Sequence, residues 1–170
     1  MMKKIALTAM AIALIACGQE EVQKDAAPAT PAPVKELAKP AEATVAEVIK
    51  IEIEGNDQML YNLKEIKAKA GAKVSLTLKH TGKLPKAAMG HNIVILAAGE
   101  DFASFATASN AAGADKEYLQ DGAQVIAASK VIGGGESVTV EFTAPAAGTY
   151  DFLCTVPGHY AMMKGQFIVE

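Results

Sequence analysis

The feature that most constrains this chain is a two-residue hydrophobic period that recurs along most of its length. Ile49, Ile51 and Ile53 alternate with Lys50, Glu52 and Glu54, and Val74, Leu76 and Leu78 alternate with Lys73, Ser75, Thr77 and Lys79. Val138, Val140 and Phe142 repeat the pattern against Ser137, Thr139 and Glu141. Successive side chains of a strand point to opposite faces, so each run buries one face and wets the other. Further strands are expected at 92–96, 125–132, 150–154 and 165–169. Turn formers separate them, as at Gly55-Asn56-Asp57, Gly133-Gly134-Gly135 and 145–148. Many short strands between such turns predict an all-β domain over 47–170, a two-sheet Greek-key β-sandwich. The stretch 101–121 departs from the pattern, and Phe102, Phe105 and Leu119 fit one or two short helices packed outside the sandwich.

The first 46 residues obey other rules. Lys3 and Lys4 precede an apolar stretch, 5–15, that is shorter than the roughly 20 residues needed to span a bilayer. It runs into Leu14-Ile15-Ala16-Cys17, which resembles the cleavage box of bacterial lipoproteins. The resemblance implies a signal peptide at 1–16 and lipidation of Cys17, the alternative being a soluble secreted protein cut near Ala16. Acyl chains contribute about 0.8 kcal/mol per buried CH₂, enough to anchor without a spanning helix. Gly18, where an aspartate would otherwise signal retention, points by the same resemblance to a Gram-negative outer membrane, facing the periplasm or the cell surface. Residues 17–46 are rich in Ala and Pro, as in Ala26-Ala27-Pro28-Ala29-Thr30-Pro31-Ala32-Pro33. With nothing large to bury, they are expected to stay a disordered, extended tether.

Charge excludes one class of partner. The 16 cations, all lysine, face 19 acids for a net charge of −3, and loss of 1–16 removes two lysines to leave −5. A chain so balanced has no basic stripe for nucleic acid. Cysteine is used twice, at Cys17 and Cys154, in surroundings too different for the two to be expected to pair.

The chemistry gathers in the last strands. Tyr150, Phe152 and Cys154 share the inward face of a strand, so Cys154 ends it with sulfur directed into the apolar end of the sandwich. His159 and Met163 follow at the spacing Cys-x₄-His-x₃-Met, and His91 arrives from the start of another strand. Each residue alone has an ordinary structural reading: a small core thiol, a hydrogen-bonded imidazole, a packed thioether. Together they make a set suited to copper, because thiolate and thioether favour Cu(I) while imidazole also suits Cu(II). Structural zinc is the competitor, but it takes four strong Cys or His ligands.

Gly55-Asn56-Asp57-Gln58-Met59, Leu84-Pro85, Met89-Gly90-His91-Asn92, Cys154-Thr155-Val156-Pro157-Gly158-His159 and Met163-Lys164-Gly165 resemble the motifs of azurins, blue-copper proteins of the cupredoxin family. With the leader, the chain is most similar to the lipid-modified azurins. The resemblance implies a cupredoxin-like fold and one copper ion held by His91, Cys154, His159 and Met163, with a weak contact from the Gly90 carbonyl. It implies that Asn92 joins the two ligand segments and donates toward the Cys154 sulfur, with the Val156 amide as second donor. It further implies a docking face of Met59, Leu84, Ala88 and Met89 with Val156, Gly158, Ala161 and Met162 around the edge of His159. His80, the third histidine, is placed near the copper without a settled role.

Three departures accompany the resemblance. Cys154 is the sole domain cysteine, so the disulfide of many azurins is absent, a change worth about 2–4 kcal/mol where nothing compensates. Val156 stands where an aromatic is common, and Ile93 replaces a buried tryptophan. The implied function is one-electron transfer, Cu(I)/Cu(II), between redox proteins such as a c-type cytochrome and a terminal reductase or peroxidase. A copper nitrite reductase or oxidase needs several more histidines than the three present, so no enzymatic activity is expected. Copper delivery calls for exposed Met- or Cys-rich sites, whereas this loop reads as enclosed.

Overall fold

A computed structural model describes residues 48–170, and the expected signal peptide 1–16, the lipidation site Cys17 and the tether 17–46 lie outside the described residues. Eight strands form two sheets: β1 (Val48–Gly55), β2 (Glu65–Ala68), β3 (Lys73–His80), β4 (Val94–Leu96), β5 (Val125–Ala128), β6 (Ser137–Thr143), β7 (Gly148–Leu153) and β8 (Lys164–Val169). One sheet has the order β1-β3-β6 and the other β2-β8-β7-β4-β5. The chain passes from sheet to sheet at five of the seven connections, β4–β5 and β7–β8 staying within one sheet, which is the crossing connectivity expected of the sandwich. Pairing is parallel for β1–β3 and β2–β8 and antiparallel elsewhere.

The two-residue period does what it foretold. In β3, Val74, Leu76 and Leu78 are buried between the sheets, where they meet Ile53, Ile66, Ile93, Phe152 and Phe167. Ile93, at the tryptophan position, is 1% exposed, so an aliphatic side chain fills that part of the core. β1 is held without a crosslink, by an unbroken eight-residue register from Val48–Lys73 to Gly55–His80.

The helical insertion is present as α2 (Phe102–Ala112), followed by a 3₁₀ turn at Ala114–Lys116. Asp101 caps α2 by accepting the Ser104 amide at 2.8 Å. Phe105 and Ala106 pack with Val94, Leu96 and Leu153 on the outer face of the five-stranded sheet. That second layer explains why all three residues of β4 are buried instead of alternating. Among the described residues, no helix is long and apolar enough to cross a membrane.

Several boundaries differ from expectation, and β7 and β8 start at Gly148 and Lys164, ahead of the expected 150 and 165. The strand expected over 92–96 begins only at Val94, and the one over 125–132 stops at Ala128. His91 and Ile132 remain joined as an isolated bridge beyond those ends. Cys154 lies one residue past β7, though buried on the same inner side as Tyr150 and Phe152. Strand β2 was not foreseen: its buried pair, Ile66 and Ala68, is too short to register as a period.

Candidate metal centre

Two chain segments meet at one end of the sandwich. The first is a single helical turn, α1 (Lys86–Met89), leading through Gly90 to His91. His91 is fixed there by a two-way bond with Ile132, N–H to O at 2.9 Å and O from N–H at 2.8 Å. The second is the loop after β7, closed at its base by the Cys154 amide donating to the Met163 carbonyl at 2.9 Å. Gly158 turns it in the left-handed region (φ 84°), where glycine carries no steric penalty. His159 then opens a 3₁₀ turn and accepts the Met163 amide at 2.8 Å.

These segments bring His91, Cys154 and His159 together, all buried, with one ligating atom from each lying within 4.8 Å of the others. The two Nδ1 atoms are 3.2 Å apart, and the Cys154 Sγ is 3.7 Å from His159 Nδ1. Met163 is wholly buried in the adjoining core. Its Cε and the His91 ring both press on Gly55, where an added Cβ would come to 2.9 Å from His91 Cδ2 and 3.3 Å from Met163 Cε. Gly90 is glycine for a comparable reason: a Cβ there would stand 2.6 Å from the Lys86 carbonyl and from Val131 Cγ1. The constraint visible at Gly90 is thus packing against protein atoms.

Burial sets the protonation of the donors. It pushes His91 down to about 4, and it lowers His159 as well, with His80 nearby adding to the effect. Both imidazoles are therefore neutral near pH 7. His91 Nε2 lies 2.9 Å from the Asn56 carbonyl, so Nε2 carries the proton and Nδ1 keeps its lone pair for the pocket. The Cys154 thiol is pushed up to about 11 by burial, against the Asn92 and Val156 backbones and the neighbouring Tyr61 hydroxyl, which favour the thiolate. Two neutral imidazoles and a sulfur surrounded by donors form a pocket that a soft cation fits, because it would replace the thiol proton and share the lone pairs.

Asn92 links the segments in both directions. Its Nδ2 donates to Thr155 Oγ1 at 2.8 Å and to the Glu117 carbonyl at 3.0 Å, while its Oδ1 accepts the Thr155 amide at 2.9 Å. The side-chain amide is thus spent on the scaffold, and it is the backbone of Asn92 that turns toward the sulfur. Sequence reasoning missed three contributors: the Asn56 carbonyl, the Tyr61 hydroxyl, which donates to the Asn92 carbonyl, and Glu117. His80 stacks on His91 with ring centroids 4.3 Å apart. Its Nδ1 accepts the Gly82 amide at 3.0 Å and its Nε2 donates to the Met89 carbonyl at 2.8 Å, so both nitrogens are engaged outside the donor cluster.

His159 is 6% exposed. Leu84 and Met162 are exposed at 41% and 54%; Ala88, Gly158 and Ala161 are exposed; Met59, Met89 and Val156 are half-buried.

A sandwich that closes one end over two buried imidazoles and a thiol is the build of a protein organised around a single soft metal ion. Comparison with known proteins gives that class its family. Residues 47–170 match the family model described as "Copper binding proteins, plastocyanin/azurin family". Azurin of Pseudomonas chlororaphis is 44% identical over 126 residues, covering 71% of this chain and 98% of that one. The outer membrane protein H.8 of Neisseria gonorrhoeae is 46% identical over 118 residues, covering 67% of this chain and 63% of that protein. Among solved structures, auracyanin A, a "blue" copper protein of Chloroflexus aurantiacus, aligns with a TM-score of 0.67 and 36% identity over 73% of this chain and 100% of that one. The chain belongs to the plastocyanin/azurin family of copper-binding proteins. Its cofactor is one copper ion, and the family's work is electron carriage.

Proposed function

We propose that His91, Cys154 and His159 hold the copper as its strong ligands, with Met163 and the Gly90 carbonyl as weak ones, in a one-electron carrier tethered to an outer membrane. The observation that carries this reading is the convergence of the three buried donors within 4.8 Å. When bound, copper supplies a Cu(I)/Cu(II) couple. The chain's own residues do the rest: Asn56 holds the His91 tautomer, Asn92 ties the two ligand segments, and the enclosing core keeps water from the sulfur. His91, Cys154 and Met163 are fully buried and His159 is 6% exposed, an enclosure that favours a carrier over an enzyme. The apolar rim of Leu84, Ala88, Met162 and their neighbours is the proposed contact for redox partners, c-type cytochromes or a terminal reductase or peroxidase, through a small transient interface.

The anchoring proposal rests on the Cys17 box in the sequence and on the Neisseria relatives whose name places them in the outer membrane. In it, residues 1–16 are removed, Cys17 is acylated, 17–46 serve as tether and 47–170 fold as the cupredoxin domain.

The test is the visible spectrum of the full chain after addition of Cu(II), beside Cys154→Ser. An intense blue band that a mild reductant bleaches, and that the variant lacks, is the expected result. A folded but colourless product sinks the ligand assignment. Cys17→Ala should move the protein from the membrane to the soluble fraction, and its retention in the membrane would refute the anchor.

A further inference from the structure

Glu117 grips the chain before, beside and after His91. Both its carboxylate oxygens lie 3.0 Å from Lys86 Nζ, at the start of the turn that runs into His91. Glu117 Oε2 accepts the amide of Val131 at 2.7 Å, and the next residue, Ile132, is the one that bonds His91 in both directions. The Glu117 carbonyl accepts Asn92 Nδ2 at 3.0 Å, directly after His91. Asn92 passes the constraint on to Thr155, beside Cys154.

The backbone supports a role beyond an ordinary surface contact. Glu117 is left-handed (φ 53°, ψ 29°), and Tyr118 repeats it (φ 53°). Residues with a Cβ avoid that region, and two in succession persist only where the surroundings hold them. A partly exposed Lys–Glu pair contributes little by itself. The Val131 amide is different: Val131 is 3% exposed, so its N–H depends on the acceptor it has. Hydrogen bonding to Val131 and Lys86 holds the Glu117 carboxyl below its usual range despite partial burial, in keeping with a carboxylate fixed in place.

We propose that Glu117 is a positioning residue for the copper centre, a clamp that fixes the three segments around His91 and so sets where its ring stands against Cys154 and His159. This rests on the reading of His91 as a ligand. Because Lys86 neutralises its charge, the contribution is geometric, and it runs from the helical insertion on the outer face of the sandwich to the centre.

The test compares full-length protein with Glu117→Gly and Glu117→Gln. Glycine is at ease at φ 53°, so that variant deletes the carboxylate without straining the turn, and the backbone carbonyl still meets Asn92. Glutamine keeps an acceptor for Val131. In metal-free protein, amide exchange at Val131 and His91 should quicken about tenfold in the glycine variant and return toward the parent's in the glutamine variant. With copper added, the glycine variant should shift the position of the visible band and the reduction potential, and glutamine should restore them. Unchanged exchange at both amides overturns the proposal. So does faster exchange with an unmoved spectrum and potential, which would make Glu117 a purely structural clamp. If the parent takes no blue colour, the ligand reading fails separately, and metal-free exchange still decides whether Glu117 holds His91.

Discussion

Tyr61 is 4% exposed, and its hydroxyl serves the metal end twice, donating to the Asn92 carbonyl and standing against the Cys154 sulfur. Its own acidity is strongly suppressed by burial, so the phenol remains a donor at any working pH. Tyr61→Phe leaves a buried carbonyl short of its partner, which costs about 1–2 kcal/mol. Urea unfolding of the metal-free chain should show that loss, and an unmoved midpoint would mean the hydroxyl is replaceable. Residues of this kind were hidden in the sequence for a simple reason. Asn56 acts through a backbone carbonyl, which carries no residue identity, while Tyr61 and Glu117 reach Asn92 from 31 and 25 positions away. Cys154, His159 and Met163 were legible because one short loop carries all three.

Among elements, the loop before α1 and the layer formed by α2 make separate predictions. Asp57 accepts the amides of Lys83 at 2.8 Å and Leu84 at 3.3 Å, and the Lys83 bond chiefly holds its carboxyl below the usual 3.8. A depressed carboxylate contributes fully above its unfolded value and loses that contribution as pH falls through the folded one. Amides of 81–84 should therefore loosen on acidification below about pH 4, while the β3 amides hold, as amide resonances would report. Asp57→Asn should abolish that dependence. In the α2 layer, Phe105 is 2% exposed against Val94 and Leu153. Phe105→Ala should cost about 3–5 kcal/mol in unfolding free energy, and a cost under about 1 kcal/mol would mean the layer is dispensable. The period that revealed β1, β3 and β6 works where one face is wet. It set the start of β4, which is buried on both faces, two residues early and missed β2, whose partner β8 lies about a hundred residues further on.

At the scale of the molecule, stability comes from the sandwich without a crosslink. Cys154 is a free, buried thiol, and β1 is secured by its register with β3. The metal-free chain should thus unfold at the same temperature with and without reductant in calorimetry. A lower temperature with reductant would reveal a disulfide through Cys154, against the expectation that it stays unpaired.

The direction of β1 has an orientational consequence. Gly55, at its finish, lies where an added Cβ would come to 2.9 Å from the His91 ring, while Val48, at its start, is paired with Lys73. Seven residue steps at about 3.3 Å put roughly 23 Å of sandwich between them. Val48, where the described residues begin, therefore lies at the pole of the sandwich remote from the metal centre, and the His159 end is clear of that entry point.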